Sequence, residues 1–206
     1  MAKGKKYYVI WKGKTPGIYE SWEDCQSQTK GFVGAQFKSF KSKEIAQKAF
    51  ELGYEASKKT EIKPDYHSIP NGPIMPSISV DAACAGNPGL MEYQGVDTAT
   101  GKRIFHRGPY EEGTNNIGEF LGLVHALALL KQKKSQLPIY TDSITAIAWV
   151  KNKKAKSKLL QTDKNKELFD LISRAETWLH NNSFQTRILK WETKIWGEIP
   201  ADFGRK

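Results

Sequence analysis

The sequence predicts a two-part α/β chain: a small amino-terminal module, then a larger domain of the mixed α+β kind, built on a mixed five-stranded sheet flanked by helices. Three observations carry this. A proline-rich stretch, residues 58–75, separates two regions of strand and helix periodicity. The region after it opens with three strand patterns in succession and then alternates helix with strand, the order that gives a mixed sheet covered by helices. The region before it is long enough only for a two-layer unit with a modest core. Residues 1–57 are thus the small module, 58–75 a linker and 76–206 the larger domain.

In the small module, Tyr7-Tyr8-Val9-Ile10-Trp11 reads as a strand because it is rich in β-branched and aromatic residues. Gly13-Lys14-Thr15-Pro16-Gly17 supplies a turn, and Ile18-Tyr19 a second short strand. A helix follows from a Ser21 cap, since Glu23 and Asp24 put negative charge in its first turn. Residues 35–40 predict a third strand and 42–50 a second helix. No acid, base and nucleophile converge here, so the module reads as one that binds. Its aromatic residues stand beside cations, Trp11 with Lys12 and Lys14, and Phe37 with Lys38. Such interleaving suits stacking on bases while ammonium groups hold phosphates. Tyr8, Trp22, Phe37 and Lys38 are the candidate contacts, whereas Phe40 and Phe50 read as core. The prolines of the following linker predict an extended, semi-rigid segment.

The larger domain begins with a strand over 77–84, a tight turn at Gly86-Asn87-Pro88-Gly89, and a hairpin of 94–97 and 102–106 around 98–101. A helix opens at Thr114-Asn115-Asn116 and runs through Phe120, Leu121, Val124, Leu127 and Leu130. Residues 137–142 predict a strand, and a helix starts at Ser143. A lysine-rich connection leads to an amphipathic helix from about 162 to 179, and 186–191 is the last strand.

Four acids stand out in this frame. Asp81 interrupts an apolar strand pattern, where a charge needs a basic partner or a metal. Asp142 ends a strand, the place where ligand sites gather in open α/β sheets. Glu119 lies in the first turns of a helix among apolar neighbours, and Asp202 near the carboxyl end. Taken singly, Asp142 also suits a helix cap and Glu119 a capping box. If the strands of Asp81 and Asp142 are neighbours, a crossover through the Glu119 helix gathers all three.

Composition points to a polyanionic partner. Lys and Arg number 32 against 22 Asp and Glu, a net charge of +10, yet the candidate site is acidic. A basic protein with an acidic pocket suits a nucleic acid held by long-range attraction and cut where divalent cations reverse the local sign. The two cysteines, Cys25 and Cys84, lack metal-ligand spacing and fit free thiols in a reducing compartment. No segment reads as a membrane span or a signal peptide, so the expectation is a cytoplasmic, soluble monomer with no membrane partner.

Val80-Asp81-Ala82-Ala83-Cys84-Ala85-Gly86-Asn87-Pro88-Gly89, Thr114-Asn115-Asn116-Ile117-Gly118-Glu119 and Tyr140-Thr141-Asp142-Ser143 resemble the signature stretches of type 1 ribonuclease H, with Asp202 as the fourth acid. The small module resembles the hybrid-binding domain of such enzymes through Tyr8-Val9-Ile10-Trp11-Lys12-Gly13, Pro16-Gly17-Ile18-Tyr19, Ser21-Trp22 with Cys25, and Phe37-Lys38-Ser39-Phe40. The resemblance implies an endonuclease that hydrolyses the RNA strand of RNA/DNA hybrids, leaving 5'-phosphate and 3'-hydroxyl ends. It also implies two Mg2+ ions, with Mn2+ as a substitute, roughly 4 Å apart across the scissile phosphate. Asp81 would bridge both ions, Asp142 and Asp202 would each bind one, and Glu119 would sit near a metal and a ribose 2'-hydroxyl. By the same resemblance Asn87, Asn115 and Ser143 contact the hybrid's minor groove. Thr114, Asn116, Ser157 and Thr193 match a pocket for a DNA-strand phosphate, and Trp149 lies along the deoxyribose backbone. Thr114 and Asn116 also suit helix caps, and Trp149 core.

The chain departs from the family pattern in three places. Ile144 stands where many members have Gln, Ser39 where some have a cation, and Trp196-Gly197-Glu198 where others have a loop His, so Glu198 is expected to take that histidine's role. His67, His106, His125 and His180 read as structural or exposed. Two other classes share parts of this pattern: a non-catalytic binder of hybrids or double-stranded RNA, and a DNA nuclease or recombinase of similar fold.

Overall fold

The computed structural model describes residues 6–40, 42–59, 66, 69 and 71–204. The chain divides into two compact units, one of Met1–Gly72 with Glu192–Glu198, the other of Pro73–Trp191 with Ile199–Lys206. Much of the expected linker, including His67, lies outside the described residues.

The smaller unit runs β1 (Tyr7–Lys12), β2 (Gly17–Tyr19), α1 (Trp22–Thr29), β3 (Gln36–Phe40), α2 (Lys43–Leu52) and α3 (Tyr54–Lys59), with an antiparallel sheet in the order β2-β1-β3. α1 and α2 start at serine caps: the Ser21 hydroxyl accepts from the Asp24 amide and that of Ser42 from the Ile45 amide. Val9 and Ile10 point to opposite faces of β1, and both are fully buried, so the sheet is covered on both sides. The Trp11 indole donates to the Ala49 carbonyl at 3.1 Å and holds α2 on the Val9 face. The sequence pattern gives no sign of α3, which is a six-residue helix following directly on α2.

The larger unit runs β4 (Ile78–Gly86), β5 (Gly89–Asp97), β6 (Arg103–Gly113), α4 (Asn115–Gln132), β7 (Ile139–Thr141), α5 (Ile144–Lys151), α6 (Lys166–Asn181) and β8 (Ile188–Lys190). Its five strands lie in the order β6-β5-β4-β7-β8. The mixed sheet expected from the sequence is present: β4 pairs antiparallel with β5, and parallel with β7. β5 and β6 are longer than the predicted hairpin. Gly108 and Pro109 interrupt the strand pattern after 106, but the ladder absorbs them through a register shift between the Met91↔Tyr110 and Tyr93↔Arg107 pairs. α6 starts at Lys166 rather than near 162, because the Asn165 side chain folds back to accept from the Thr162 amide at 2.8 Å and donate to the Leu160 carbonyl at 3.0 Å.

The core of this unit lies between the sheet and α4, with Ile117, Phe120, Leu123 and Leu127 fully buried and Leu168 and Leu179 of α6 closing it. α4 is apolar nearly all round, as a helix buried on several sides must be. Gly118 sets how close it comes: a Cβ there would lie 2.6 Å from the Met91 sulfur and 2.7 Å from the Ala82 Cβ. After Trp191 the chain forms the short helix α7 (Thr193–Trp196), within the segment that groups with the smaller unit.

Candidate active site

β4 and β7 pair only at Ile78↔Ile139 and Ser79↔Tyr140, so β4 has no parallel partner beyond Ser79. Asp81 stands two residues past the last pair, on the strand face opposite Val80 and Ala82, which pack toward α4. β7 ends at Thr141, and Asp142 is the next residue. The two strands therefore present their acids where their hydrogen bonding stops. Glu119 comes from the first turns of α4, brought against β4 by the close approach at Gly118. One oxygen from each of Asp81, Glu119 and Asp142 lies within 4.8 Å of the others.

The helix caps resolve the alternatives open in the sequence. Ser143, not Asp142, caps α5, its hydroxyl accepting from the Ala146 amide at 3.1 Å. Glu119 does not reach back to the cap of α4. Its carboxylate accepts from the Asn115 side-chain amide at 2.8 Å and from the Ser143 hydroxyl. Thr114 is the N-cap residue, without a side-chain capping bond.

Burial and the neighbouring carboxylates make Asp81 and Glu119 reluctant to ionise. Asp81 is 8% exposed, and its carboxyl is pushed up to about 8, first by burial and then by the charge of Asp142, with Glu119 and Asp202 adding. The Ala82 amide opposes the shift. Glu119 is pushed up to about 7, again mainly by burial, with Asp142 adding to it and the Ser143 hydrogen bond and the Lys190 ammonium opposing it. Asp202 lies outside the close triplet but near enough for its charge to act on Asp81. The donors are all carboxylate oxygens, the hard set that suits Mg2+ or Mn2+, and a divalent cation is the species that would let them ionise together. Lys190 was not marked by the sequence pattern. Only the pairing of β8 beside β7, Thr141↔Lys190, brings its charge to the site.

Of the other candidates in this unit, Asn87 is exposed at the two-residue connection of β4 and β5, where Gly89 is required because a Cβ would fall 2.0 Å from the Ala85 carbonyl oxygen. Asn115 and Asn116 are exposed in the first turn of α4, and Thr114 and Ser157 are half-buried. The Ser157 hydroxyl accepts from the Leu159 amide at 3.1 Å. Trp149 is 7% exposed and packs edge-on against Phe120 with ring centroids 6.0 Å apart, so it is chiefly a core residue. Thr193 and Glu198 are half-buried in the segment that groups with the smaller unit. His106 contacts Glu92 at 2.7 Å and His125 stacks on Phe105 at 4.0 Å, both structural placements, while His180 is exposed.

In the smaller unit Tyr8, Trp22 and Phe37 form one aromatic strip. The Trp22 ring centroid is 5.5 Å from that of Tyr8 and 5.9 Å from that of Phe37, and Trp22 and Phe37 are 40% and 39% exposed. Lys38 departs from the interleaving read in the sequence. It pairs with Val9, on the face opposite Phe37, and its ammonium donates to the Ser57 carbonyl at 3.3 Å.

Residues 6–50 match the family model for the ribonuclease H1 N-terminal domain, and residues 77–191 the model for RNase H. A ribonuclease H of Ruthia magnifica subsp. Calyptogena magnifica is 31% identical over 135 residues, covering 61% of this chain and 88% of that protein. A ribonuclease H of Saccharomyces cerevisiae is 40% identical over 47 residues, which is 23% of this chain and 14% of the yeast protein. Among solved structures, an RNase H1 isolated from compost is similar at a TM-score of 0.37 and 22% identity, over 57% of this chain and 85% of that one. Among the described residues no helix is long and apolar enough to cross a membrane.

Proposed function

Because the chain belongs to the ribonuclease H family, we propose that it is an endonuclease that hydrolyses the RNA strand of RNA/DNA hybrids. Its products would carry 5'-phosphate and 3'-hydroxyl ends. The observation that carries this reading is the triplet of buried Asp81 and Glu119 with half-buried Asp142, whose oxygens lie within 4.8 Å of one another. Two Mg2+ ions held by these residues and Asp202 would supply activation of the attacking water and stabilisation of the leaving oxygen.

The chain's own residues do the rest. Asp81 sits on a paired strand and Glu119 on a buried helix, so both are held by rigid elements. Asn115 and Ser143 both donate to the Glu119 carboxylate, which would in turn accept from a ribose 2'-hydroxyl, the group that separates RNA from DNA. Asn87 and Asn115 are exposed amides suited to base edges in a shallow minor groove. Thr114, Asn116 and Ser157 are assigned to a DNA-strand phosphate. Trp22 and Phe37, beside half-buried Tyr8, offer exposed ring surface for stacking, and the net charge of +10 draws a polyanion. Tethering such a surface to the cleavage unit raises the local substrate concentration. Two free thiols suit work in the cytoplasm, and a monomer suffices for every residue named.

The test is cleavage of end-labelled RNA/DNA hybrid, single-stranded RNA, double-stranded RNA and double-stranded DNA, with Mg2+ or EDTA. The expected result is cutting of the hybrid alone, lost with EDTA and with Asp142→Asn. Cutting of duplex DNA, or a hybrid bound but intact, would replace this reading with one of a DNA nuclease or a binder.

A further inference from the structure

Three of the four acids sit on or directly beside regular elements, but Asp202 lies on a tail beyond the last helix and strand. Its backbone is turned by a hydrogen bond from the Asp202 amide to the Ile199 carbonyl at 2.8 Å, and Ile199 and Ala201 are buried at 3% and 0% exposure. A metal ligand works only if its oxygen is held to within a fraction of an ångström, so something must hold this tail.

We propose that Gln94, oriented by Arg103, is the positioning residue for Asp202, and so for the cation that Asp202 would bind; this rests on the reading of Asp202 as a ligand given above. Gln94 is the direct cross-strand partner of Asp81, on the same face of the sheet. It is 6% exposed, and its side-chain amide donates to the carbonyl of Ala201, the residue before Asp202, at 2.7 Å. The Arg103 guanidinium donates to the Gln94 Oε1 at 3.0 Å. A guanidinium has only donors, so it admits the amide in one orientation: oxygen toward Arg103, NH2 toward Ala201. The chain Arg103 to Gln94 to Ala201 thereby refers the tail to the same strand register that fixes Asp81. Two of the four acids then share one frame. A buried glutamine in a strand is costly unless both ends of its amide are satisfied, and here both are.

The test uses the full chain with Gln94→Met, an uncharged side chain of similar length that makes neither bond. Supporting partners of metal ligands typically govern 10- to 100-fold in metal affinity or activity. The expected result is a rise of about tenfold in the Mg2+ concentration for half-maximal cleavage, with hybrid KM within twofold of wild type. In metal-free protein, hydrogen exchange at residues 201–203 should quicken, and calorimetric titration with Mg2+ alone should show the same weakening. Arg103→Gln keeps a donor without charge and should restore most of what Arg103→Leu loses; equal loss in both would make Arg103 an electrostatic residue and overturn the orienting role. Unchanged Mg2+ dependence in Gln94→Met overturns the proposal, whether or not exchange at the tail quickens. Asp202→Asn separates the two failures. If Asp202→Asn itself leaves the Mg2+ titration unaltered, the ligand reading falls and takes this one with it; if Asp202→Asn weakens it and Gln94→Met does not, only the positioning role falls.

Discussion

The aromatic strip of the smaller unit and the acidic triplet of the larger are opposites in physical terms. Trp22 and Phe37 are about two-fifths exposed and leave ring surface open to solvent. Asp81 and Glu119 are more than nine-tenths buried and held away from their usual ionisation. The first surface stores nothing and gains by contact. The second holds unfavourable electrostatics that a cation relieves. The contrast teaches where substitutions should act: on affinity at the strip, on chemistry at the triplet.

The largest expected effect is at the triplet. Asp81→Asn should lower hybrid cleavage on the order of a thousandfold, the scale of losing an electrostatic group that acts at the reacting centre, while hybrid binding in filter or anisotropy assays stays within about threefold. At the strip, Trp22→Ala removes one stacking surface and should raise hybrid KM about tenfold, since stacking on one ring is worth about 1–3 kcal/mol. Its kcat at saturating hybrid should stay within twofold, and a fall in kcat instead would erase the contrast.

A third measurement reads the stored electrostatics without substrate. Asp81 and Glu119 hold protons in the folded state up to about 8 and 7, where an unfolded chain releases them near the usual carboxylate range. Their contribution to stability is therefore fully present below about pH 4 and lost as the pH rises through 7 to 8. The thermal midpoint of metal-free protein should rise by several degrees between pH 8.5 and pH 5.5, with other groups held constant by comparison with Asp81→Asn, which flattens the trend. The stabilisation given by Mg2+ should run the other way and grow with pH. The smallest effect belongs to Lys38→Met, under twofold in hybrid KM, because that ammonium is already bound to the Ser57 carbonyl on the other face of the sheet.

The acids of the triplet are legible because each breaks a local rule: a charge in an apolar strand at Asp81, an acid at a strand end at Asp142, a carboxylate among mostly apolar helix neighbours at Glu119. The sheet followed from the same periodicities. What the sequence hid depends on partners far along the chain. The length of β6 is masked by Gly108 and Pro109, which a register-shifted neighbour tolerates. The face taken by Lys38 was in principle readable from strand alternation, but its tie to Ser57 needs α3, a helix with no capping signature. Gln94 looks like an ordinary polar strand residue until the tail 107 positions later is laid against it.

The contact at Gly118 has a consequence for how this site could drift over generations. The helix has no side chain of its own there and meets the Met91 thioether and the small Ala82 of the sheet directly. The approach of the Glu119 turn to β4 is therefore set by Gly118 against Met91 and Ala82, not by the volume of the hydrophobic residues further along α4. Positions such as Leu123, Leu127 and Leu130 can be exchanged for other apolar residues in combinations that keep total volume, and the carboxylates should keep their spacing. In a randomised library selected for cleavage, those leucines should come back varied, and residue 118 should come back as glycine.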